Sequence, residues 1–483
     1  MIKKLTKDYE LSLKILLGFI IFWMFLSASG PIQWMDNGMF LSNANAGDLF
    51  SKSSDDLSHP FFHFISVLIS RIFGNYALSY FNAFLLIPLS YLIFKLCLNL
   101  GTDKKLALIC AASSLLIHSI FWISTKVEVY LLNTLLLVWI FYIYYQLILD
   151  KNKKVSLNLF FIGLLTGLAA CTHQITFIVL LPLYIHSLYI YRSKLIFCIP
   201  GFLIGIFSAY PGIFNEIEDG MSAFEIGRVF FTGHKNHVAN SGFESKFLKF
   251  SSIITEKNSV LILIFSLIGT QIAGLLFFPK TIKKRLLYLS GLLNFLFAVS
   301  YNVNDRFTFF LTGAVFSTIL GCIWLYQKTS KYNLVLASAF ISPILLISAY
   351  ILTSTNIVKL PEHKAPLPYR NDIKYFMVPY LKDNSAELFV NDYEKIVPKN
   401  QNVICDWTPT WALISAQAIG KFEDRKVIDC QEKISENIST LYLVRLNYCE
   451  NLQKDFNLQK EKIGYKLEKR EANEKINVKD LLK

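Results

Sequence analysis

Charge is scarce in this chain of 483 residues: Asp, Glu, Lys and Arg make up 17% of it, against about a quarter in a soluble domain. None of its eight cysteines has zinc-ligand spacing, and the sequence carries neither an internal repeat nor a low-complexity tract. The first apolar run, 11–30, has no small-residue cleavage site and is followed by further apolar runs, so it does not read as a signal peptide. These shortages exclude an ordinary soluble enzyme. What is present instead is apolar: 53% of residues are hydrophobic, and stretches near ~20 residues, enough to cross a bilayer, recur along most of the chain.

About eleven spans are expected, near 11–30, 77–99, 106–124, 129–149, 157–171, 175–191, 195–212, 259–278, 286–301, 307–326 and 333–353. The short segments on one side carry Lys3, Lys4, Lys7 and, at the span's inner edge, Lys14, then Lys104 and Lys105, Lys151, Lys153 and Lys154, Arg192 and Lys194, Lys280, Lys283, Lys284 and Arg285, and Lys328 and Lys331. The positive-inside bias makes that side cytoplasmic. The net charge of +13 is therefore mostly a topology signal and does not point to nucleic acid. Cys97, Cys110, Cys171, Cys198 and Cys322 fall in apolar runs and read as packing residues, whereas Cys405, Cys430 and Cys449 fall outside, where one disulfide is permitted and one cysteine is left over.

Composition changes sharply after Thr353, which divides the chain into a membrane domain, 1–353, and a polar domain, 354–483. Strands are expected at 402–406 and 440–445 and a helix at 411–420, giving a small α/β domain whose charged end frays from about Lys454. Two non-cytoplasmic loops are long. The first, 31–75, contains an amphipathic stretch at 60–73 with the spacing of an interfacial helix, or of an ordinary surface or re-entrant helix; the other is 213–257.

Orientation, fixed by basic residues alone, gathers a set of polar side chains on the non-cytoplasmic side. Asp36 follows the first span, His59 precedes Pro60, Glu128 opens the fourth span with Tyr130, His173 and Gln174 separate the fifth and sixth, and Asp305 and Arg306 separate the ninth and tenth. Ionisable groups at membrane edges are costly unless solvated or paired and often serve function. Each has a plainer reading: Asp36 as a solvated loop residue, Glu128 as a helix-dipole partner, His59 as a turn former, His173 as a satisfied histidine between helices, Asp305 and Arg306 as a local ion pair. His118 and His186 lie inside apolar runs and read as packing residues. The chemistry that suits such a set is group transfer at a membrane surface: a carboxylate base for a hydroxyl acceptor, and donors such as His59, His173 and Arg306, or else a divalent cation, for a leaving phosphate.

The order of these pieces, WMDNGMF at 34–40, SHP at 58–60, FWISTKVEVYLLN at 121–133 and GLLTGLAACTHQ at 163–174, with looser matches at 301–311 and 390–407, resembles the transmembrane protein O-mannosyltransferase family of the GT-C superfamily. Two positions depart from it: Met39 stands where the family has the Glu of Asp-x-Gly-Glu, and His59-Pro60-Phe61-Phe62-His63-Phe64 replaces His-Pro-Pro-Gly-Tyr-Pro. The resemblance implies an all-α polytopic GT-C-like protein with a small C-terminal extracytoplasmic α/β domain. It implies a polyprenyl- or dolichyl-phosphate-linked sugar as donor, inversion at the anomeric carbon, and Asp36 as catalytic base; no residue is assigned to a metal, and a divalent cation stays open. His59, Glu128, Tyr130, His173, Gln174, Asp305 and Arg306 are then the substrate-binding residues, and the acceptor is a protein Ser/Thr, a glycan or a lipid. A bacterial inner membrane, with the site facing the periplasm, is the expected setting. A flippase of a lipid-linked precursor and a non-catalytic envelope assembly protein are the competing classes, though transporters place ionisable groups at the midplane of broken helices.

Overall fold

The computed structural model describes residues 2–45, 47–50, 59–149, 154–232, 251, 257–301, 303, 305–359, 365–377, 381–430, 440–447 and 449–470. Asp55, Asp56 and most of the polar run 232–241 lie outside these residues. The chain forms two compact units, one of Met1–Ser29, Asn43–Lys359 and Phe376–Asp383, the other of Gly30–Ser42, Leu360–Tyr375 and Asn384–Lys483. The second thus contains most of the polar domain drawn from composition together with a piece of the first loop.

The larger unit is helical throughout. Its helices, in chain order, are α1 (Ile2–Leu26), α2 (Met35–Asn45, whose first turns belong to the other unit), α3 (Pro60–Asn99), α4 (Lys104–Leu115), α5 (His118–Ser124), α6 (Tyr130–Leu149), α7 (Val155–Ala170), α8 (Ile175–Tyr191), α9 (Cys198–Gly205), α10 (Tyr210–Glu218) and α11 (Ala223–Thr232). They continue with α12 (Lys257–Leu267), α13 (Thr270–Leu276), α14 (Ile282–Ser300), α15 (Arg306–Phe309), α16 (Leu311–Thr329), α17 (Tyr332–Ala339) and α18 (Ile341–Ser354). Every expected span falls on helix. By length and composition alone, five helices among the described residues are fit to cross a membrane, or up to seven if each bent pair is one span. The difference from eleven is physical. α4 and α5 meet at 64° and α12 and α13 at 87°, α7 is short, and the first turn of α14 is diluted by Lys283, Lys284 and Arg285. The chain is an integral membrane protein.

The amphipathic stretch 60–73 is helical and continues into the following span, with the kink taken up at Gly74, whose φ of 81° a side chain rarely adopts. Close packing of α7 on α9 is set by glycines spaced four apart on both helices. A Cβ on Gly163 would stand 2.0 Å from the Cys198 carbonyl oxygen, and one on Gly201 would stand 2.1 Å from that of Phe160.

Hydrogen bonds sort the loops into two ends, as the basic residues grouped them. At the lysine-rich end Tyr9 donates to Asn333 (2.8 Å), Tyr332 to Asp103 (2.6 Å), and Lys283 Nζ to the Asn99 carbonyl (3.3 Å). At the other end Ser29 N–H donates to the Thr125 carbonyl (2.8 Å) and Phe61 N–H to that of Cys171 (2.9 Å).

The smaller unit is α/β. Its helices α19 (Asp372–Met377, running into the other unit), α20 (Ser385–Tyr393) and α21 (Trp407–Gln417) accompany strands β1 (Asn402–Cys405), β2 (Lys426–Asp429), β3 (Thr440–Leu443), β4 (Phe456–Lys460) and β5 (Tyr465–Lys469) in the order β2-β1-β3-β5-β4. β1 is parallel to β2 and β3, while β5 is antiparallel to β3 and β4. The expected strands and helix are found within a few residues. The fraying expected from Lys454 is corrected: 456–469 is a paired hairpin, because Phe456 and Leu467 turn into the core beneath the charged outer residues. Cys430 and Cys449 form a disulfide inside that core, and Cys405 is the buried free thiol.

Candidate functional site

In the helical unit, the candidate residues meet where three helix ends are held by backbone bonds. Pro60 starts α3 at its first position, where a missing N–H costs nothing, and so places His59 as the residue before the helix. His59 Nδ1 lies 2.8 Å from the Thr172 carbonyl, an acceptor only, so this nitrogen carries the proton. Two residues on, the Ile175 N–H donates to His173 Nδ1 (3.1 Å), which must therefore be bare, leaving the proton of the neutral ring on Nε2. The two imidazoles are 5.3 Å apart, centre to centre, with opposite tautomers fixed by main chain. Burial, and then the neighbouring His59, hold the His173 pKa well below the ordinary imidazole value.

Tyr130, at the start of α6, packs its ring 5.0 Å from His173 and 4.9 Å from Phe309, and Tyr301 closes on Phe309 at 4.9 Å. The turn carrying Glu128 is built by one amide: Asn82 Nδ2 donates to the carbonyls of Ile123 (3.2 Å), Lys126 (2.8 Å) and Glu128 (2.8 Å). Glu128 itself is buried, and its Oε2 accepts from the Val129 N–H at 3.2 Å. That contact fits its expected place at the start of a helix. Asn133, one turn into α6, donates to the Ala169 carbonyl (2.9 Å) and the Thr176 hydroxyl (2.7 Å), fixing the 170–175 turn that presents His173. Gln174 is the residue that precedes α8.

Arg306 is fully buried, and its guanidinium donates to the carbonyls of Val299 (3.2 Å) and Val303 (3.4 Å), while the Asp305 carbonyl accepts from the Thr308 hydroxyl at 2.8 Å. Both residues therefore shape the turn beneath Phe309. His118 and His186 bond Ser266 (2.9 Å) and Tyr144 (2.6 Å) away from this cluster, as packing residues do.

Asp36 belongs to the other unit. It lies in the first turn of α2, and Trp407 Nε1 donates to its Oδ1 at 2.9 Å. The surrounding segment is anchored around it: Trp34 is fully buried, donates to the Ser385 hydroxyl (2.8 Å) and packs on Phe389, and Tyr375 donates to Asn37 (3.2 Å). A Cβ on Gly38 would stand 2.3 Å from the Gln33 carbonyl oxygen and 2.5 Å from that of Trp411, so only glycine fits where Asp-Asn-Gly meets α21. Asp48, by contrast, contributes its carbonyl to His63 (2.9 Å) in the helical unit.

Sequence reasoning passed over Lys126. It is 2% exposed, bonds Asp383 (3.2 Å) and Ser29 (3.3 Å), and so ties both to the turn that carries Glu128. A lysine between the apolar residues of FWISTKVEVYLLN was the available signal. Trp407, quoted in the looser match, was likewise not linked to Asp36. Among the described residues no three His, Cys, Asp or Glu are grouped to hold a metal ion.

No family model and no curated protein matches the sequence. Among solved structures the fold is similar to the crystal structure of ArnT from Cupriavidus metallidurans bound to undecaprenyl phosphate, at 9% identity, over 95% of this chain and 98% of that one, with a TM-score of 0.60. The fold of this chain is thus of the GT-C type, a polytopic helical body with a small C-terminal α/β unit.

Proposed function

We propose that this protein is a membrane glycosyltransferase that moves a sugar from a polyprenyl-phosphate donor to a hydroxyl acceptor on the non-cytoplasmic side. The observation that carries the reading is the His59–His173 pair, with backbone-fixed tautomers at a helix boundary on the lysine-poor end. Such a pair offers a phosphate a ready donor in His173 Nε2–H without the cost of a permanent buried charge. The shared fold with a protein crystallised with undecaprenyl phosphate supports a lipid phosphate as that ligand.

In the reaction so assigned, Asp36 takes the proton of the acceptor hydroxyl as its oxygen attacks the anomeric carbon. The anomeric carbon–oxygen bond to phosphate breaks, and its electron pair leaves on polyprenyl phosphate, with inversion. Trp407 orients the base, His59 and His173 serve the leaving phosphate, and Glu128 and Tyr130 serve the sugar. Gln174, Asp305 and Arg306 support the donor by holding the turns on which His173 and Phe309 stand. Mannose is the sugar favoured by the family resemblance, with a protein Ser/Thr, a glycan or a lipid as acceptor. The test is an assay of purified protein with radiolabelled polyprenyl-phosphate sugars across several acceptors. Transfer of label is expected; lipid translocation across vesicles without transfer from any donor would favour a flippase instead.

A further inference from the structure

A second polar site lies at the opposite, lysine-rich end of the helical unit. A cavity of about 630 Å³ is lined by Tyr9 of α1, Lys105 of α4, Lys331 between α16 and α17, and Tyr332, Asn333 and Leu334 of α17. It is built by aromatic packing around a cation. Lys105 Nζ lies 5.7 Å from the ring centres of both Tyr9 and Tyr332, and Tyr326 stacks on Tyr332 at 4.5 Å. The carboxylate of Asp103, bonded to this group, is already engaged: it accepts from Tyr332 at 2.6 Å and from the Leu106 N–H at 2.9 Å, capping α4. The walls come from three separate helices, so the cavity is a product of the tertiary fold.

We propose that this cavity binds the phosphodiester headgroup of an anionic membrane phospholipid. Lys105 of α4 and Lys331, just before α17, supply complementary charge, and tyrosine and asparagine side chains supply hydrogen bonds. A lipid is preferred over soluble phosphate because the cavity runs on into apolar surface. Leu334 on its wall is exposed, as are Ile341 and Ile344 at helical spacing further along the same span, Tyr332–Ser354, whose apolar window is only 28% buried. A headgroup held at Lys105 and Lys331 thus leaves its acyl chains along side chains that already face lipid. By the positive-inside bias the lipid comes from the cytoplasmic leaflet. The proposal does not depend on the transferase reading, and neither lysine belongs to the machinery assigned above.

The test is native mass spectrometry of the full-length protein released from mixed phosphatidylglycerol and phosphatidylcholine vesicles. The parent is expected to retain phosphatidylglycerol preferentially. Removing a lysine near a headgroup costs about fivefold in retention, so Lys105→Gln/Lys331→Gln is expected to lose about 25-fold, and Lys331→Gln alone, at an exposed side chain that leaves folding untouched, about fivefold. Lys105→Arg/Lys331→Arg keeps the charge and the preference. Unchanged retention in Lys331→Gln and in the double Gln variant overturns the proposal. So does an equal loss in Lys154→Gln, an exposed lysine on the same side, because that marks general surface charge. Displacement of the lipid by glycerol phosphate marks a soluble-phosphate site and overturns the lipid assignment.

Discussion

The two units satisfy buried polar groups with different chemistry. In the helical unit, neutral amides stitch the broken ends of helices: Asn82 joins α3 to the 123–128 turn, Asn133 joins α6 to the 170–175 turn, and Asn294 donates to the Phe309 carbonyl (2.8 Å) while accepting from the Gly313 N–H (2.7 Å). In the α/β unit full charges do comparable work. Arg445 holds Asp406 through two bonds of 2.6 and 2.8 Å, with both side chains nearly buried, and Arg425 gathers the carbonyls of Val397, Glu394 and Glu423. An amide makes the same bonds without taking an ion out of water, so it is the cheaper tie where lipid excludes water. Among the described residues the buried carboxylates, lysines and arginines of the helical unit are Lys126 with its partner Asp383, Glu128, Arg306 and Glu216 of α10, and the first four lie at the end that carries His59 and His173. The cost of burying those four supports the proposal that this end holds the site.

The sharpest way to break this comparison is to turn a working charge into an amide. Asp36→Asn keeps the size and the oxygen that accepts from Trp407, so the protein should fold and insert. Loss of a general base should lower turnover by roughly 10²–10⁴-fold with donor affinity nearly intact. Asp48→Asn, whose partner uses only the backbone, should turn over like the parent. The same swap at Glu128, Glu128→Gln, should cost ~10²-fold in turnover if it steadies charge at the donor. Parent-like rates for Asp36→Asn would move the base elsewhere.

Charge in the α/β unit should matter to stability in turn. Arg445→Ala leaves Asp406 buried without its partner and should destabilise that unit by about 3–5 kcal/mol, read as protease sensitivity of the C-terminal region. Asn133→Leu should cost less, about 1–3 kcal/mol, because it orphans only a neutral group, the Thr176 hydroxyl, while the Ala169 carbonyl keeps the Thr172 and His173 N–H donors. A larger loss for Asn133→Leu than for Arg445→Ala would reverse the order that the two chemistries imply.

Much of this was legible from sequence because hydropathy and basic-residue bias are local signals. They located a helix for each apolar run and assigned loops to two ends. What they could not show were breaks and long-range ties. Neither Pro nor Gly marks the 64° bend between Leu115 and His118, although Gly269, at φ 112°, does sit at the 87° bend. The attachment of 30–42 to the α/β unit rests on contacts such as Trp34–Ser385 and Asp36–Trp407, more than 350 residues apart, which no window along the chain registers. The three outer cysteines left the pairing open until packing brought Cys430 to Cys449.

The smallest effect separates the units by pH. His173 is held neutral by burial and by His59, with its pKa well below the usual value, whereas in the unfolded chain it titrates near ~6.5. A group depressed on folding binds more protons when unfolded. Its contribution is therefore fully present above about pH 6.5 and is lost as pH falls from there toward the folded value, at up to about 1.4 kcal/mol per pH unit. The described residues of the α/β unit contain no histidine, so acidification from pH 7.5 to about 5.5 should soften the helical unit first. Thermal unfolding in detergent, followed by protease mapping, reads this directly. His173→Gln supplies an amide oxygen for the Ile175 N–H but no titrating group, so its midpoint should fall less steeply across that window than the parent's. Equal slopes in the two proteins would mean that the proton taken up on acid unfolding belongs to another residue, and that His173 is not the neutral donor required at the phosphate.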